Sequence, residues 1–374
     1  MTEKSRVLIL TTAYLPQVGG SELAIKNITD RLPGIFFDLI TSHPSKNLPE
    51  HEKIGNTNVY RVGNSLSMFS FLLPKNFFPM AVFFKAYQLM RKHGPYNTIH
   101  AYQASQAAGG GWLLKWKYPD IPFMVTVQEG KVLNRQPLLV RFFRHLIFRK
   151  ADIVTVISDY LAQYVRSQNS KVPILIIHNG VDVNKFRPGG NHNVKTIITV
   201  SRLVKKNGVK DLIDAIAIIK KEIPDIKLLI VGDGEQAKEL KTKSLLLGLK
   251  NNTEFVGEIS HDLLPQYLAM ANIFVRPSLS EGLGTAFLEA MAAGLPVVGT
   301  AVGGIPDFLK DKQTGLFCKP GDPDDIADKI IMLLENDELR NRLAGNGRRL
   351  VEEKYDWEKI ASEFAKLYQE INVK

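Results

Sequence analysis

Two carboxylates stand eight positions apart in Ser280-Glu281-Gly282-Leu283-Gly284-Thr285-Ala286-Phe287-Leu288-Glu289-Ala290-Met291, around a glycine-bracketed turn that opens a helix. A helix start preceded by small residues presents free backbone N–H groups and the positive end of the helix dipole, and a phosphate fits there. Glu281 falls in the loop and Glu289 in the first turns of the helix. Carboxylates are poor phosphate ligands but accept well from sugar hydroxyls, so the segment suits a nucleotide sugar. The same stretch also reads as an ordinary α/β loop with solvated or capping glutamates. A second candidate, Arg202, follows the apolar run Thr196–Val200 in Ser201-Arg202-Leu203-Val204-Lys205-Lys206-Asn207-Gly208. A fixed guanidinium with a nearby ammonium stabilises the charge that grows on a departing diphosphate. Arg202 and Lys206 are that candidate pair, solvated surface basics being the alternative.

The strand-like Val297-Val298-Gly299-Thr300 then delivers a second glycine-rich turn, Gly303-Gly304-Ile305-Pro306-Asp307. With the Glu281–Glu289 segment, this resembles the donor domain of family-four retaining glycosyltransferases, which have the GT-B fold. The resemblance covers nearly the whole chain, because Gly19-Gly20-Ser21-Glu22 matches the family's N-terminal turn. It implies an α/β protein of two doubly wound, Rossmann-like domains facing a central cleft. It also implies transfer of a sugar, with retention, from a nucleotide diphosphate donor to a saccharide or lipid-linked acceptor, as in surface polysaccharide or glycolipid synthesis. No cofactor or metal is expected beyond the donor substrate itself.

The implied donor residues are Gly19, Gly20, Arg202, Gly282, Leu283, Gly284, Thr285 and Glu289, the last on the ribose. Glu281 would hold sugar hydroxyls, and the implied catalytic set is Glu281, Arg202, Lys206 and Gln128. The family places a lysine five residues after the arginine, where this chain has Asn207, so Lys206 takes that role from a shifted register. Gln128 stands where many members have histidine; an amide positions a sugar but shuttles no proton. His100, Tyr102 and Glu129 are the acceptor candidates, each with a purely structural alternative. Two other readings stay open: a nucleotide-sugar epimerase, against which the missing acid–base group at Gln128 counts, and a non-catalytic sugar-nucleotide-binding subunit, prompted by the departures at Gln128 and Asn207.

The elements that must position these residues are legible as apolar runs separated by helix-length segments. Val7–Leu10, Phe37–Ile40, Val59–Val62, Thr98–Ala101, Phe123–Val127, Ile153–Val156 and Ile174–Ile177 occupy the first half. Thr196–Val200, Leu228–Val231, Phe255–Val256, Ile273–Val275 and Pro296–Val298 restart the rhythm in the second. Such spacing predicts βαβ units and parallel sheets, with ligands outside the carboxyl ends of the strands. A turn-rich stretch from His178 to Asn193 reads as the linker. The expected domains are 1–187 for the acceptor and 188–355 for the donor. The amphipathic segment 356–374 is implied by resemblance to cross back to the first domain.

Two local patterns are decoys. Gly232-Asp233-Gly234-Glu235-Gln236-Ala237 has dinucleotide-binding spacing, but its two carboxylates would repel a pyrophosphate. Asp322-Pro323-Asp324-Asp325 reads as a helix start, with Asp322 as N-cap and Pro323 at N1, rather than as a metal motif.

The bulk properties are those of an ordinary folded protein of 374 residues, 45% hydrophobic and 23% charged. Cys318 is the one cysteine, which excludes an intrachain disulfide and a cysteine-based zinc site and fits a reducing cytoplasm. Neither a signal peptide nor a run of about eighteen apolar residues is read. The net charge of +10 is uneven: residues 1–190 hold 23 Lys and Arg against 11 Asp and Glu. Exposed Leu and Phe among those cations would suit peripheral contact with an anionic membrane; basic outer faces on ordinary core helices are the alternative. No nucleic-acid module signature is present.

Overall fold

The computed structural model describes residues 5–17, 19–45, 47–64, 77–128, 137–168, 171–189 and 195–372. The chain divides into two compact units, Met1–Asn179 with Trp357–Lys374, and Gly180–Asp356.

The first unit runs β1 (Arg6–Leu10), α1 (Gly20–Asp30), β2 (Phe36–His43), β3 (His51–Ile54), β4 (Thr57–Asn64), α2 (Phe78–His93), β5 (Thr98–Tyr102), α3 (Gln106–Lys117), β6 (Phe123–Val127), α4 (Leu138–Lys150), β7 (Ile153–Val156), α5 (Asp159–Ser167) and β8 (Ile174–Ile176). Its sheet has the order β3-β4-β2-β1-β5-β6-β7-β8 and is parallel except where β3 pairs antiparallel with β4. Val7 to Leu10, all of β5 and all of β6 are buried. Near-continuous burial of this kind belongs to strands covered by helices on both faces. The order grows outward from β1 in two directions, so right-handed crossovers put the helices on opposite faces. Helix α2 packs on α3, and α3 on α4. The first contact is flush because a Cβ at Gly110 would overlap Val82.

The second unit runs β9 (Thr196–Val200), α6 (Val209–Ile219), β10 (Lys227–Val231), α7 (Ala237–Leu246), β11 (Thr253–Gly257), α8 (Leu264–Ala269), β12 (Ile273–Arg276), α9 (Thr285–Ala292), β13 (Val297–Thr300), α10 (Ile305–Phe308), β14 (Leu316–Cys318), α11 (Pro323–Glu335) and α12 (Asp337–Lys354). Its sheet is wholly parallel in the order β11-β10-β9-β12-β13-β14. Ile197, Leu228, Ile230, Ile273 and Val275 of the strands meet Leu212, Ile213 and Ile216 of α6 in one core. Cys318, at the end of the edge strand β14, is buried, and its Sγ donates to the Gly299 carbonyl at 3.4 Å. Burial, with the Asp325 carboxylate nearby, pushes the thiol up to about 12.

The first unit closes at Asn179 rather than at 187. Val181 donates its N–H to the Tyr355 carbonyl at 2.7 Å, and Arg348 donates to the Phe186 carbonyl at 2.5 Å, which ties 181–186 to the second unit. The last helix, α13 (Trp357–Glu370), packs on α1. It buries Trp357, Ile360, Phe364, Leu367 and Tyr368 in a cluster with Val7, Ile9, Ile25 and Phe37. Asp322 caps α11, accepting from the Asp325 N–H at 3.1 Å, with Pro323 in the first turn. Among the described residues, no helix is long and apolar enough to cross a membrane.

In each sheet the order reverses beside its first strand, between β1 and β5 and between β9 and β12. The carboxyl ends of strands at such a reversal leave a crevice between diverging loops, where α/β proteins hold ligands.

Candidate active site

The reversal in the second unit brings together Ser201–Gly208, after β9, and Pro277–Gly284, after β12. A 3₁₀ turn, Lys205–Asn207, follows Arg202 and is stitched to the other loop by the Leu279 N–H donating to the Lys206 carbonyl at 2.7 Å. Two glycines with positive φ allow the close approach. At Gly208 a Cβ would fall on the Pro277 carbonyl, and at Gly303 on the Glu281 carbonyl.

Asn207 sits at the centre of this junction. Its amide donates to the Arg202 carbonyl at 2.6 Å, and its side-chain oxygen accepts from Arg276 at 3.0 Å. The same Arg276 guanidinium donates to Oε2 of Glu281, whose other oxygen accepts from the Gly282 N–H at 3.0 Å. Both side chains of the ion pair are nearly buried, at 10% and 11% exposure. Charge taken out of water this far needs a partner and hydrogen bonds on its remaining lone pairs. Glu281 is therefore held in one orientation at the mouth of the turn into α9.

Arg276 was not read as a site residue, because it closes an apolar strand in Ile273-Phe274-Val275-Arg276 and looks like a strand end. The signal that would have found it is a cation five residues before Glu281. Its Nε, with Oγ of Ser201 and Ser278, is a buried polar atom without a hydrogen-bond partner among the described residues. Buried orphans of this kind are uncommon in folded proteins, and here they gather where β9 and β12 end.

Gly284 takes a left-handed φ of 97° as the residue before α9, and Gly282, Leu283 and Gly284 are buried while Thr285 is half-buried. Glu289 lies one turn into α9, with Oε1 2.7 Å from His261 Nε2. Lys185 reaches His261 Nδ1 at 3.3 Å and Asp262 at 2.6 Å. An ammonium only donates, so Nδ1 accepts and Nε2 carries the proton that goes to Glu289. His261 and Lys185 are further residues absent from the sequence reading; they hold Oε1 of Glu289 in place. Arg202 itself is exposed and Lys206 half-buried. The Gly232–Ala237 loop packs on the Arg202 loop, the Leu203 N–H donating to Asp233 and the Gln236 N–H to Leu203, both at 2.9 Å.

In the first unit several expectations need correction. His100 is wholly buried, with Nδ1 2.7 Å from the Tyr368 hydroxyl and Nε2 2.6 Å from Thr126 Oγ1. Desolvation lowers its pKa to about 3, so the ring is neutral and both nitrogens are engaged. It is a core residue, with its ring nitrogens on Tyr368 and Thr126. Tyr102 is 1% exposed, and burial pushes its phenol well above the usual range; it too is core. At Gly19, the residue before α1, a Cβ would fall on the Glu22 carboxylate. That helix start is thus faced by the protein's own carboxyl, which burial raises, whereas Gly20 opens on free space. Gln128 exchanges amide hydrogen bonds with Asn179, at 3.1 Å and 3.4 Å, so Asn179, read as linker, is the residue that orients it. Glu129 lies outside the described residues.

Two family models match the chain, one described as Glycosyltransferase Family 4 over residues 18–185 and one as Glycosyl transferases group 1 over residues 181–350. The N-acetyl-alpha-D-glucosaminyl L-malate synthase of Bacillus anthracis is 30% identical over 289 residues, which are 74% of this chain and 75% of that protein. The sucrose-phosphate synthase structure from Thermosynechococcus elongatus superposes with a TM-score of 0.85 at 24% identity, covering 99% of each chain. The structure of HepE from Anabaena in complex with UDP gives 0.82 at 20% identity, covering 98% of this chain and all of that one. The two doubly wound sheets are those of the GT-B fold.

Proposed function

This chain belongs to the group 1 glycosyltransferases of family four, and we propose that it moves a sugar, with retention, from a nucleotide diphosphate sugar to a saccharide or lipid-linked acceptor. In this reading the diphosphate sits at the start of α9, where the N–H groups after Gly284 and the helix dipole meet its charge. Arg202, with Lys206, neutralises the charge that grows as the glycosidic bond breaks, an interaction worth most in the transition state. These groups meet the leaving-group charge directly, so the proposal assigns no metal ion. Oε2 of Glu289 takes a ribose hydroxyl. Gln128, oriented by Asn179, positions the sugar without exchanging a proton. The peripheral setting is an anionic membrane surface, in envelope polysaccharide or glycolipid synthesis.

The observation that supports this reading best is the buried Arg276–Glu281 pair, tied through Asn207 to the Arg202 loop. A carboxylate held this firmly beside a helix start is suited to grip sugar hydroxyls in one geometry, so that binding enthalpy is not lost to side-chain ordering. Such a pair has no obvious use in a simple solvated loop.

The test is release of free nucleotide, followed by NMR, from a panel of nucleotide sugars with and without saccharide acceptors. Glu281→Gln and Arg202→Ala should each lower turnover of the preferred donor by about a hundredfold or more. Full transfer rates in both variants would contradict the assigned roles. Nucleotide binding without turnover across the panel would favour the non-catalytic reading, and rearranged donor without acceptor would favour the epimerase.

A further inference from the structure

One face of the first unit's sheet carries helices that the proposed transfer chemistry does not use. Helices α2, α3 and α4 pack side by side, and their sequences, FPMAVFFKAYQLMRKH, QAAGGGWLLKWK and LLVRFFRHLIFRK, hold nine lysines and arginines and not one carboxylate. A surface helix of a folded domain ordinarily mixes both signs on its polar face. Three neighbouring helices without an acid amount to a sustained positive field, not a local fluctuation.

The same helices expose large apolar side chains that a water-facing surface should hide. On α4, Leu138 is 80% exposed and Phe142 and Phe143 are 55% exposed, while the buried side of the helix is Arg144, Ile147 and Phe148. Trp116 of α3 is 65% exposed, with the Lys150 ammonium 4.3 Å from its ring centroid. Phe84 of α2 is exposed too. Scattered single apolar residues would need no explanation, but neighbours on packed helices, rimmed by Arg141, Arg149 and Lys117, form a patch.

We infer that the α2–α4 face is the docking surface by which this chain lies on an anionic lipid bilayer, the aromatic and leucine side chains entering the interfacial region and the cations meeting headgroup phosphates. This locates the peripheral membrane contact proposed above and rests on that reading. Charge complementarity decides the occupant. A bilayer of anionic lipid offers negative charge at the rim and hydrocarbon at the centre, matching cations around Leu138, Leu139, Val140 and Phe143. Single-stranded nucleic acid supplies the charge and a stacking partner for Trp116 but nothing for exposed aliphatic side chains. Trp116 also fits a bilayer boundary, where an amphipathic ring sits at headgroup depth.

Co-sedimentation of the full chain with vesicles of equal parts phosphatidylglycerol and phosphatidylcholine tests this, against vesicles of phosphatidylcholine alone. The chain should pellet with the anionic vesicles, less with the neutral ones, and be released as salt rises. Phe142→Glu with Phe143→Glu should weaken partitioning by about tenfold or more, and Arg141→Glu with Arg149→Glu should remove the preference for anionic lipid. These side chains are exposed, so unchanged circular dichroism and melting are expected. The inference is overturned if the wild type ignores anionic vesicles, or if both double variants bind as it does. It is also overturned if single-stranded RNA, and not lipid, is retained through these residues, or if light scattering shows a dimer that the Phe142→Glu, Phe143→Glu variant dissociates. Nucleotide release from soluble donors without vesicles is read separately, so an active chain that binds no vesicle would sink the docking face and leave the transfer reading standing.

Discussion

At the scale of single residues, the second-unit site turns on one buried ion pair. Arg276→Leu would leave the Glu281 carboxylate inside the protein without its partner, at a cost of about 3–5 kcal/mol in stability. Replacing both, Arg276→Leu with Glu281→Leu, should recover most of that loss by urea denaturation while leaving transfer abolished. If the double replacement stays as unstable as the single one, the pair is not what holds the junction. Glu281, Arg202 and the turn into α9 were legible in the sequence because glycines and carboxylates announce a loop. Arg276 was not, because its neighbours Val275 and Phe274 made it look like the end of a core strand. Asn207 looked like a lost lysine; in the fold it is a connector, its amide taking Arg202's carbonyl on one side and Arg276 on the other.

At the scale of elements, most strands were readable, since four or five consecutive apolar residues can only be a covered strand or the middle of a buried helix. The two that escaped show the limit of that signal. β3, His-Glu-Lys-Ile, is polar and half exposed and exists through its hairpin with β4; β14 is three residues long. His100 misled for a related reason. The apolar run Thr98–Ala101 put it near a strand end, where ligand-binding side chains occur, but β5 continues to Tyr102 and Tyr368 of α13 meets the ring in the strand's middle. Tyr368 of α13, His100 of β5, Thr126 of β6 and Thr155 of β7 form one buried hydrogen-bonded chain. The seam has a pH signature. With a folded pKa of about 3 against about 6.5 when unfolded, His100 binds its proton only in the unfolded chain over that window. Stability is therefore complete above about pH 6.5 and falls as pH drops toward 3, by about 2 kcal/mol between pH 7 and 5. Chemical denaturation of the first unit at both pH values, beside His100→Gln, measures it; an equal pH slope in the variant would remove His100 as the cause.

At the scale of the whole chain, the two units were visible as a repeated rhythm of strands, and their contrast in charge as an asymmetry of composition. Residues 1–190 carry 23 Lys and Arg against 11 Asp and Glu, whereas the rest of the chain holds slightly more acid than base. The boundary at Asn179 was blurred because Gly180 to Arg187 have turn-like composition, and only Val181, Phe186 and their partners Tyr355 and Arg348 assign them to the second unit. The chain's one thiol, in the second unit, has a practical corollary. Cys318 is out of reach of solvent, and little of it is thiolate near neutrality. A maleimide dye should leave the native protein unlabelled for hours and stain it rapidly once β14 peels away, so dye uptake in stopped-flow or mass spectrometry clocks the opening of that sheet edge. Fast uptake by the native chain would show the edge already frayed, and a cysteine grafted elsewhere on the surface would accept the probe alone.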